Sequence, residues 1–227
     1  LVGSRLNLPN AVAPTIVKRE IQAIAMVQAL PSLLSFEEFL DWCPEPGRYE
    51  LIDGVVIELN PTGTHEKLAG FVAAELNFEI RQQRLPCFIP RTCTVKPFTD
   101  RAGYLPDVVV LDEQAVKDDP LWEKRSTITI GKAARLVVEV ASTNWRDDYG
   151  RKLTDYEEMG IPEYWIIDYL ALGASRYIGS PKQPTISVCC LIDGEYQVTR
   201  FTGSDRIVSQ AFPELHLTAS QVIDEAS

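Results

Sequence analysis

Two acidic residues and one lysine have the types and the spacing that phosphodiester hydrolysis requires. Asp107 comes directly before three valines and a leucine, and Glu139 interrupts a second apolar run that contains three valines. Lys152 follows near the start of a predicted helix. A divalent cation held by one or two carboxylates neutralises charge on a reacting phosphate and lowers the pKa of an attacking water. The pattern therefore predicts a hydrolase that uses magnesium or manganese, with Asp107 and Glu139 as metal ligands and Lys152 as the stabilising amine.

The apolar surroundings of the two carboxylates make them informative. An acidic side chain inside an apolar strand must be paired, bind a metal or lie at an exposed strand end, because an isolated buried charge is strongly unfavourable. One interpretation is that Asp107 and Glu139 interrupt the two apolar runs because both bind the same metal ion. The alternative is that Asp107 and Glu139 face water at strand ends, or pair with Lys152 and Arg151.

Capping and turn patterns predict the elements that must position these residues. The predicted helices are residues 36–42 behind a capping box of Ser35 and Glu38, 65–84 behind Thr64, 146–159 ended by Gly160, and a final turn at 219–225. The predicted strands are a hairpin across 48–59 with the turn Asp53-Gly54, part of 87–98, then 105–111, 136–140, 163–168, 175–178, and a hairpin of 185–191 with 195–201.

This order of elements predicts an α/β (α+β) fold with a mixed sheet and helices against it. Its core runs helix, three strands, helix, strand, with extra antiparallel strands added. Residues 1–30 are expected to be an N-terminal arm, and residues 31–227 a single domain. Within that domain the core covers about residues 48–170, and a β-rich extension covers residues 171–227.

The charge balance restricts how this chain could meet a nucleic acid. The net charge of its 227 residues is −10, and a phosphate backbone repels an acidic surface. Contact with DNA would therefore need a local basic patch or bound cations. The same acidity suits a protein that concentrates divalent cations.

Composition also bears on location. No apolar run reaches the roughly 18 residues that a membrane crossing needs, and no signal-peptide pattern is present, so we expect a cytoplasmic protein without a membrane partner. The five cysteines include no CxxC pair, which gives no indication of a zinc site or a disulfide framework.

Several short motifs, in one order along the chain, resemble those of a known family. The resemblance covers about Ser35 to Asp168 and rests on Tyr49–Gly54, His65, Pro106-Asp107, Val138–Ser142, Lys152, Tyr156 and Gly160–Asp168. These residues look like the Uma family, a domain of unknown function classed with restriction endonucleases in the PD-(D/E)XK nuclease superfamily.

The resemblance implies a restriction-endonuclease-like fold, magnesium-dependent cleavage of DNA and a homodimer. Asp107 matches the first acidic residue of the superfamily motif, and Glu139 matches the second. Val140 and Ala141 stand where the motif has its final residue pair, so the expected lysine is absent there. Lys152 matches the position from which family members supply it instead.

Two further candidate catalytic residues come from the same resemblance. Glu50 matches a glutamate in the hairpin and would be a third acidic metal ligand, or else a strand carboxylate paired with Arg48 or a turn amide. His65 matches a histidine in the first helical turn. It would contact substrate or a metal-bound water, or else bond to the backbone as part of the helix cap.

Three functions remain open at this point. The first is a metal-dependent endonuclease that acts on DNA. The second is a catalytically inactive binding or regulatory module that keeps the nuclease fold and oligomerises. The third is an oligomeric scaffold that uses the C-terminal hairpins as its interface.

Overall fold

The computed structural model describes residues 33–44 and 47–226. The predicted N-terminal arm, residues 1–30, lies outside these ranges. Helix α1 (Phe36–Trp42) begins as predicted, because Glu38 N donates a hydrogen bond to Ser35 Oγ and Ser35 N donates one to Glu38 Oε2. This reciprocal capping satisfies two amides at the start of the helix.

The remaining elements follow in chain order. The strands are β1 (Tyr49–Ile52), β2 (Val55–Glu58), β3 (Cys87–Phe88), β4 (Thr94–Val95), β5 (Val108–Asp112), β6 (Thr127–Ile128), β7 (Ala134–Val140), β8 (Glu163–Asp168), β9 (Thr185–Ile192) and β10 (Glu195–Phe201). The later helices are α2 (Gly63–Gln83), α3 (Trp122–Arg125), α4 (Leu153–Met159), α5 (Ser175–Ile178) and α6 (Ala219–Asp224). A π-helical segment, Asp147–Lys152, leads directly into α4.

Six strands form one mixed sheet in the order β10–β9–β8–β7–β5–β3. Strands β7 and β8 are parallel, and the other neighbours are antiparallel. A parallel pair needs a crossover connection, which α4 supplies between β7 and β8. The predicted mixed sheet with helices is therefore confirmed, and the C-terminal hairpin of β9 and β10 extends the same sheet.

Each face of the sheet carries its own buried cluster. Apolar residues of α2 and α6 pack with Val108, Val110 and Val138 on one face. Val109, Val137 and residues of α4 pack on the other. Burying each of these valines stabilises the fold by about 1.5–3 kcal/mol. Because side chains alternate along a strand, odd-numbered positions on β5 and β7 face α4.

The hairpin of β1 and β2 forms a separate two-stranded sheet. Its turn is Asp53-Gly54, as predicted, and both residues have positive φ, 51° and 82°. Positive φ at both central residues matches the twist of the flanking strands. The hairpin also contacts the body of the protein through the paired backbones of Leu51 and Gly103.

Two predictions of local structure are wrong. Thr62, not Thr64, caps α2, since Thr62 Oγ1 accepts a hydrogen bond from His65 N. Residues 175–178 form helix α5 rather than a strand, with Ile178 buried in the core. The helix predicted from Arg146 to Met159 is present, although its first part is the wider π-helical segment, in which Asp148 and Lys152 are both buried.

None of the helices in the described ranges combines the length and the apolar character that crossing a membrane requires.

Candidate active site

Asp107 lies immediately before β5, on the face of the sheet that α4 covers. Its Oδ2 accepts a hydrogen bond of 2.8 Å from Val140 N, the last residue of the neighbouring strand β7. This bond fixes the carboxylate against the end of β7. Its side chain is only 9% exposed, so it contacts protein on most sides and opens toward a single cleft.

Glu139 lies in β7 on the same face, beside the end of β5. The hydroxyl of Tyr156, from α4, donates a 2.9 Å hydrogen bond to Glu139 Oε1. Among the described residues, the polar contacts of Glu139 fall on Oε1, while Oε2 forms none. Strand β7 and helix α4 therefore fix the direction of this carboxylate and leave one of its oxygens available.

Lys152 Nζ lies between three carboxylates. It is 2.9 Å from Glu50 Oε1, 3.0 Å from Glu139 Oε1 and 3.5 Å from Asp148 Oδ1. The ring of Tyr104 lies on a further side, with its centroid 5.6 Å from the nitrogen. The alternative pairing is thus observed for Glu139 with Lys152, whereas Arg151 pairs with Asp53 instead of either carboxylate.

The π-helical segment explains how Lys152 reaches the sheet. A π-turn contains one more residue than an α-turn, and such turns occur often at functional sites. Here it places Asp148 and Lys152, four positions apart, on one buried side of the segment. The chain then continues as α4, which Gly160 ends at φ 76°, as predicted.

Glu50 lies in β1, on the separate two-stranded hairpin. Its Oε1 accepts a hydrogen bond of 3.0 Å from Leu105 N as well as the contact from Lys152. The alternative pairing with Arg48 is not observed, and the amide that it binds belongs to the segment before Asp107. Glu50 therefore ties the hairpin to the sheet through the ammonium group of Lys152.

His65 lies in the first turn of α2 and binds Asp107. Its Nε2 is 2.8 Å from Asp107 Oδ1. Burial opposes protonation of the ring, but the hydrogen bond to Asp107 and the negative charges of Asp107 and Glu66 together outweigh it and raise the pKa of His65 above its usual value. The histidine thus orients the carboxylate, a contact that neither sequence-based interpretation included.

Arg48 and Asp148 belong to the cluster but were missed in the sequence. Arg48 forms an ion pair with Glu66, and its second terminal nitrogen is 3.8 Å from Asp107 Oδ1. Asp148 precedes Lys152 by four residues, the spacing at which helical side chains meet, and this signal could have identified it. No comparable signal existed for Arg48, which directly precedes β1 and comes close to Asp107 only in the folded chain.

Burial and mutual repulsion perturb the acids of this cluster. Burial raises the pKa of Glu139 well above its usual range; Lys152 opposes this, and the nearby Glu50 and Asp107 add to it. Burial likewise raises the pKa of Asp148 to about 6. Perturbed acids that share one cation in this way are typical of functional sites.

The pKa of Lys152 is raised, which keeps its amine charged. Burial alone would lower its pKa, but Glu139, Glu50 and Asp148 outweigh that effect and raise it well above its usual value. Lys152 is therefore an ammonium ion at neutral pH.

A cleft of about 430 Å³ opens over these residues. Its walls include the cluster residues Arg48, Glu50, His65, Asp107, Glu139, Asp148 and Lys152. The opposite wall comes from residues 142–144 and from Tyr169, Leu170 and Leu172. Buried Asp168 holds this wall, because Leu172 N and Gly173 N donate to its two oxygens at 2.8 and 2.7 Å.

The donor set of the cleft fits a hard divalent cation held by few protein ligands. The part of the chain that the structure describes contains no group of three or more His, Cys, Asp or Glu side chains arranged to hold a metal. Magnesium, however, often binds through one or two carboxylates, with water and substrate phosphate completing its shell. Glu139 Oε2 is available, and each oxygen of Asp107 keeps a second lone pair.

Two comparisons with known proteins agree with this geometry, and a third finds no relative. The model of a family described as "Uma2: Putative restriction endonuclease" matches residues 36–220. A solved structure from Anabaena variabilis ATCC 29413, described as a "putative nuclease belonging to DUF820", is similar over 86% of this chain and 99% of that one. Its TM-score is 0.63 and its identity is 18%, so it establishes the fold alone. No curated protein matches.

The family match extends from the first residue of α1 into α6, and thus includes the sheet and every residue that lines the cleft. The resemblance of the sequence motifs to the Uma family is confirmed. This chain belongs to the Uma2 family of restriction-endonuclease-like proteins.

Proposed function

We propose that the chain is an endonuclease that hydrolyses phosphodiester bonds of DNA and requires magnesium or manganese. The observation that carries this proposal is the position of Lys152 Nζ, 3.0 Å from Glu139 Oε1 and at the edge of the cleft that Asp107 also faces. Two carboxylates and an ammonium group at one opening are the groups that phosphoryl transfer to water needs.

Asp107 and Glu139 would hold the divalent cation. When bound, the cation neutralises charge on the phosphate and lowers the pKa of a water molecule. His65 and the amide of Val140 keep Asp107 in one orientation, and Tyr156 does the same for Glu139. Such supporting bonds fix ligand direction before substrate arrives.

Lys152 supplies a fixed positive charge beside the reacting phosphate. Because its pKa is raised, it acts as an ammonium ion and not as a general base. Glu50 and Asp148 hold it at the cleft, so little reorganisation is needed when negative charge develops in the transition state. Glu50 remains a candidate third ligand through its second oxygen.

The test is cleavage of supercoiled plasmid DNA by the purified chain with magnesium, manganese, calcium or EDTA. We expect nicking with magnesium or manganese and none with EDTA. Asp107→Ala and Glu139→Gln should each slow nicking at least about 100-fold. Failure to nick any form of DNA, in any of these metals, would reject the proposal.

A matched control separates loss of chemistry from loss of net charge. Glu195→Gln makes the same exchange at an exposed position of edge strand β10 and should leave the rate unchanged. Circular dichroism and thermal unfolding of each variant would show whether it keeps its fold. Equal loss in Glu195→Gln and Glu139→Gln would show that the effect is unrelated to the cleft.

A second candidate function is a binding or regulatory module that keeps the fold and cleaves nothing. The net charge of −10 favours it, and so does the displacement of the lysine from the motif position to the following helical segment. Calorimetric titration with manganese distinguishes the two. A nuclease should bind the ion at a defined stoichiometry, and its Asp107→Ala variant should not bind it. No heat of binding at millimolar metal would favour the module.

A homodimer and a cytoplasmic location also remain predictions. Sedimentation equilibrium over a range of concentrations would test the first, and fractionation of the source cells would test the second.

A further inference from the structure

Three arginines and two aromatic residues form a continuous surface next to the cleft. Arg146 stacks on Trp145 with its guanidinium carbon 4.6 Å from the ring centroid, and Arg176 stacks on Tyr177 at the same distance. The rings of Trp145 and Tyr177 are 6.4 Å apart. Arg200 joins the group by donating from NH2 to the carbonyl of Arg176 at 2.8 Å. We call these five residues the arginine–aromatic patch.

The guanidinium groups of this patch have no carboxylate partner. Arg146, Arg176 and Arg200 are exposed and form no ion pair with the described residues. Some other arginines are paired, as Arg125 is with Asp41 and Arg135 with Asp112, whereas Arg81 and Arg91 also form no ion pair with the described residues. In a chain whose net charge is −10, three adjacent unpaired arginines form a local region of opposite sign.

The patch is held in place from beneath. The ring of Tyr177 stacks on that of the buried Tyr149, with centroids 4.8 Å apart and an interplanar angle of 17°. Trp145 meets Tyr149 edge-on at 6.4 Å. Stacking on an aromatic face restricts a guanidinium group while leaving its N–H donors free to bind phosphate. Arg146 and Arg176 are therefore restrained by their aromatic neighbours, and Arg200 by its hydrogen bond to the carbonyl of Arg176.

The patch is also continuous with the cleft. Trp145 and Arg146 lie between Asn144 and Asp147, both of which line the cleft wall. On the other side, Lys182 Nζ donates to the carbonyl of Leu172, another residue of that wall. A strand with its scissile phosphate at Lys152 would leave the cleft across this surface.

We propose that the arginine–aromatic patch binds the phosphate backbone of the DNA that flanks the cleaved bond. This inference rests on the proposed function, which it deepens by naming the surface that binds the substrate. It also accounts for how so acidic a chain meets DNA, because the patch supplies a local region of positive charge beside the cleft. Because contacts with phosphate groups carry no sequence information, binding here is independent of sequence.

The test is binding of a fluorescein-labelled DNA duplex, measured by anisotropy with calcium so that binding is observed without turnover. Arg146→Ala, Arg176→Ala and Arg200→Ala are combined in one variant. We expect Kd to rise at least about tenfold at moderate salt. The slope of log Kd against log salt should fall by about one for each phosphate group that the variant no longer binds.

A second triple variant serves as the control, with the same loss of three charges in exposed residues: Arg81→Ala, Arg91→Ala and Lys132→Ala. Arg81 lies at the end of α2 remote from His65, and Lys132 precedes β7 at the end remote from Glu139. A control that weakens binding as much as the patch variant would overturn the proposal, since net charge alone would then explain the loss.

Three further outcomes complete the test. Replacing the three patch arginines with lysine should restore the salt slope, because the charges return; no restoration would argue against phosphate binding by the patch. If the unaltered chain binds no DNA even at low salt, the inference is overturned. A chain that binds through the patch but never nicks plasmid would contradict the proposed cleavage and leave the patch intact.

Discussion

The side-chain nitrogen of Lys152 lies 3.0 Å from Oε1 of Glu139, although the two residues belong to different elements. Glu139 lies in β7, and Lys152 ends the π-helical segment that follows it. The superfamily motif places its lysine on the strand itself, where this chain has Ala141. The ammonium group reaches the same carboxylate from the helical side of the sheet.

We predict that Lys152→Met destabilises the fold. The change leaves Glu50, Glu139 and Asp148 close together without their shared cation, and removing one partner of a buried ion pair costs about 3–5 kcal/mol. Urea unfolding at neutral pH would measure the loss. Lys132→Met, at an exposed position, should change the free energy of unfolding by less than about 0.5 kcal/mol. Equal effects would mean that Lys152 is not held as described.

Asp148→Asn should slow cleavage about tenfold while the fold is retained, because the amide preserves the shape but weakens the anchoring of Lys152. Initial rates of plasmid nicking at saturating metal would measure this. The exposed Asp224→Asn is the control, since it removes the same charge from α6. An unchanged rate in Asp148→Asn would show that Glu50 and Glu139 suffice to hold the lysine.

We expect His65→Ala to raise the manganese concentration needed for half-maximal cleavage by about tenfold, because Asp107 loses the bond that orients it. Titrating manganese against initial rate would give this value. The chain contains two histidines, and the exposed His216 supplies a matched His216→Ala control. A fall in maximal rate without any change in metal requirement would instead indicate a direct role for His65 in the reaction.

Gly173→Ala should destabilise the wall of the cleft. An added Cβ would lie 3.0 Å from Asp168 Oδ2 and 3.1 Å from the ring of Tyr149, closer than ordinary packing allows. We expect a loss of about 1–3 kcal/mol in thermal or urea unfolding. Gly70→Ala should do the opposite and stabilise by about 0.5–1 kcal/mol, because its Cβ would meet nothing within 4 Å on helix α2.

The main features of the site follow from patterns that are local in the chain. Alternation along β5 and β7 puts Asp107 and Glu139 on one face, and capping and turn motifs predicted α1 and both hairpins. Arg48 and the contact of His65 with Asp107 depend on packing between distant segments. Asp148, in contrast, had a local signal that was missed, because it lies four residues before Lys152 on the same helical segment. Residues 175–178 are helical because Tyr177 stacks on Tyr149 and Ile178 is buried. The local amino-acid sequence does not predict those contacts.

The enclosure of Lys152 also gives its amine a distinct reactivity. Acylating reagents attack the neutral, accessible form of a lysine, and this amine is both buried and held as the ammonium ion. Lys117, Lys124 and Lys132 are exposed and should be acylated readily. Brief labelling followed by mass spectrometry would then find Lys152 unmodified in the native chain and modified once the hairpin that carries Glu50 separates from the sheet.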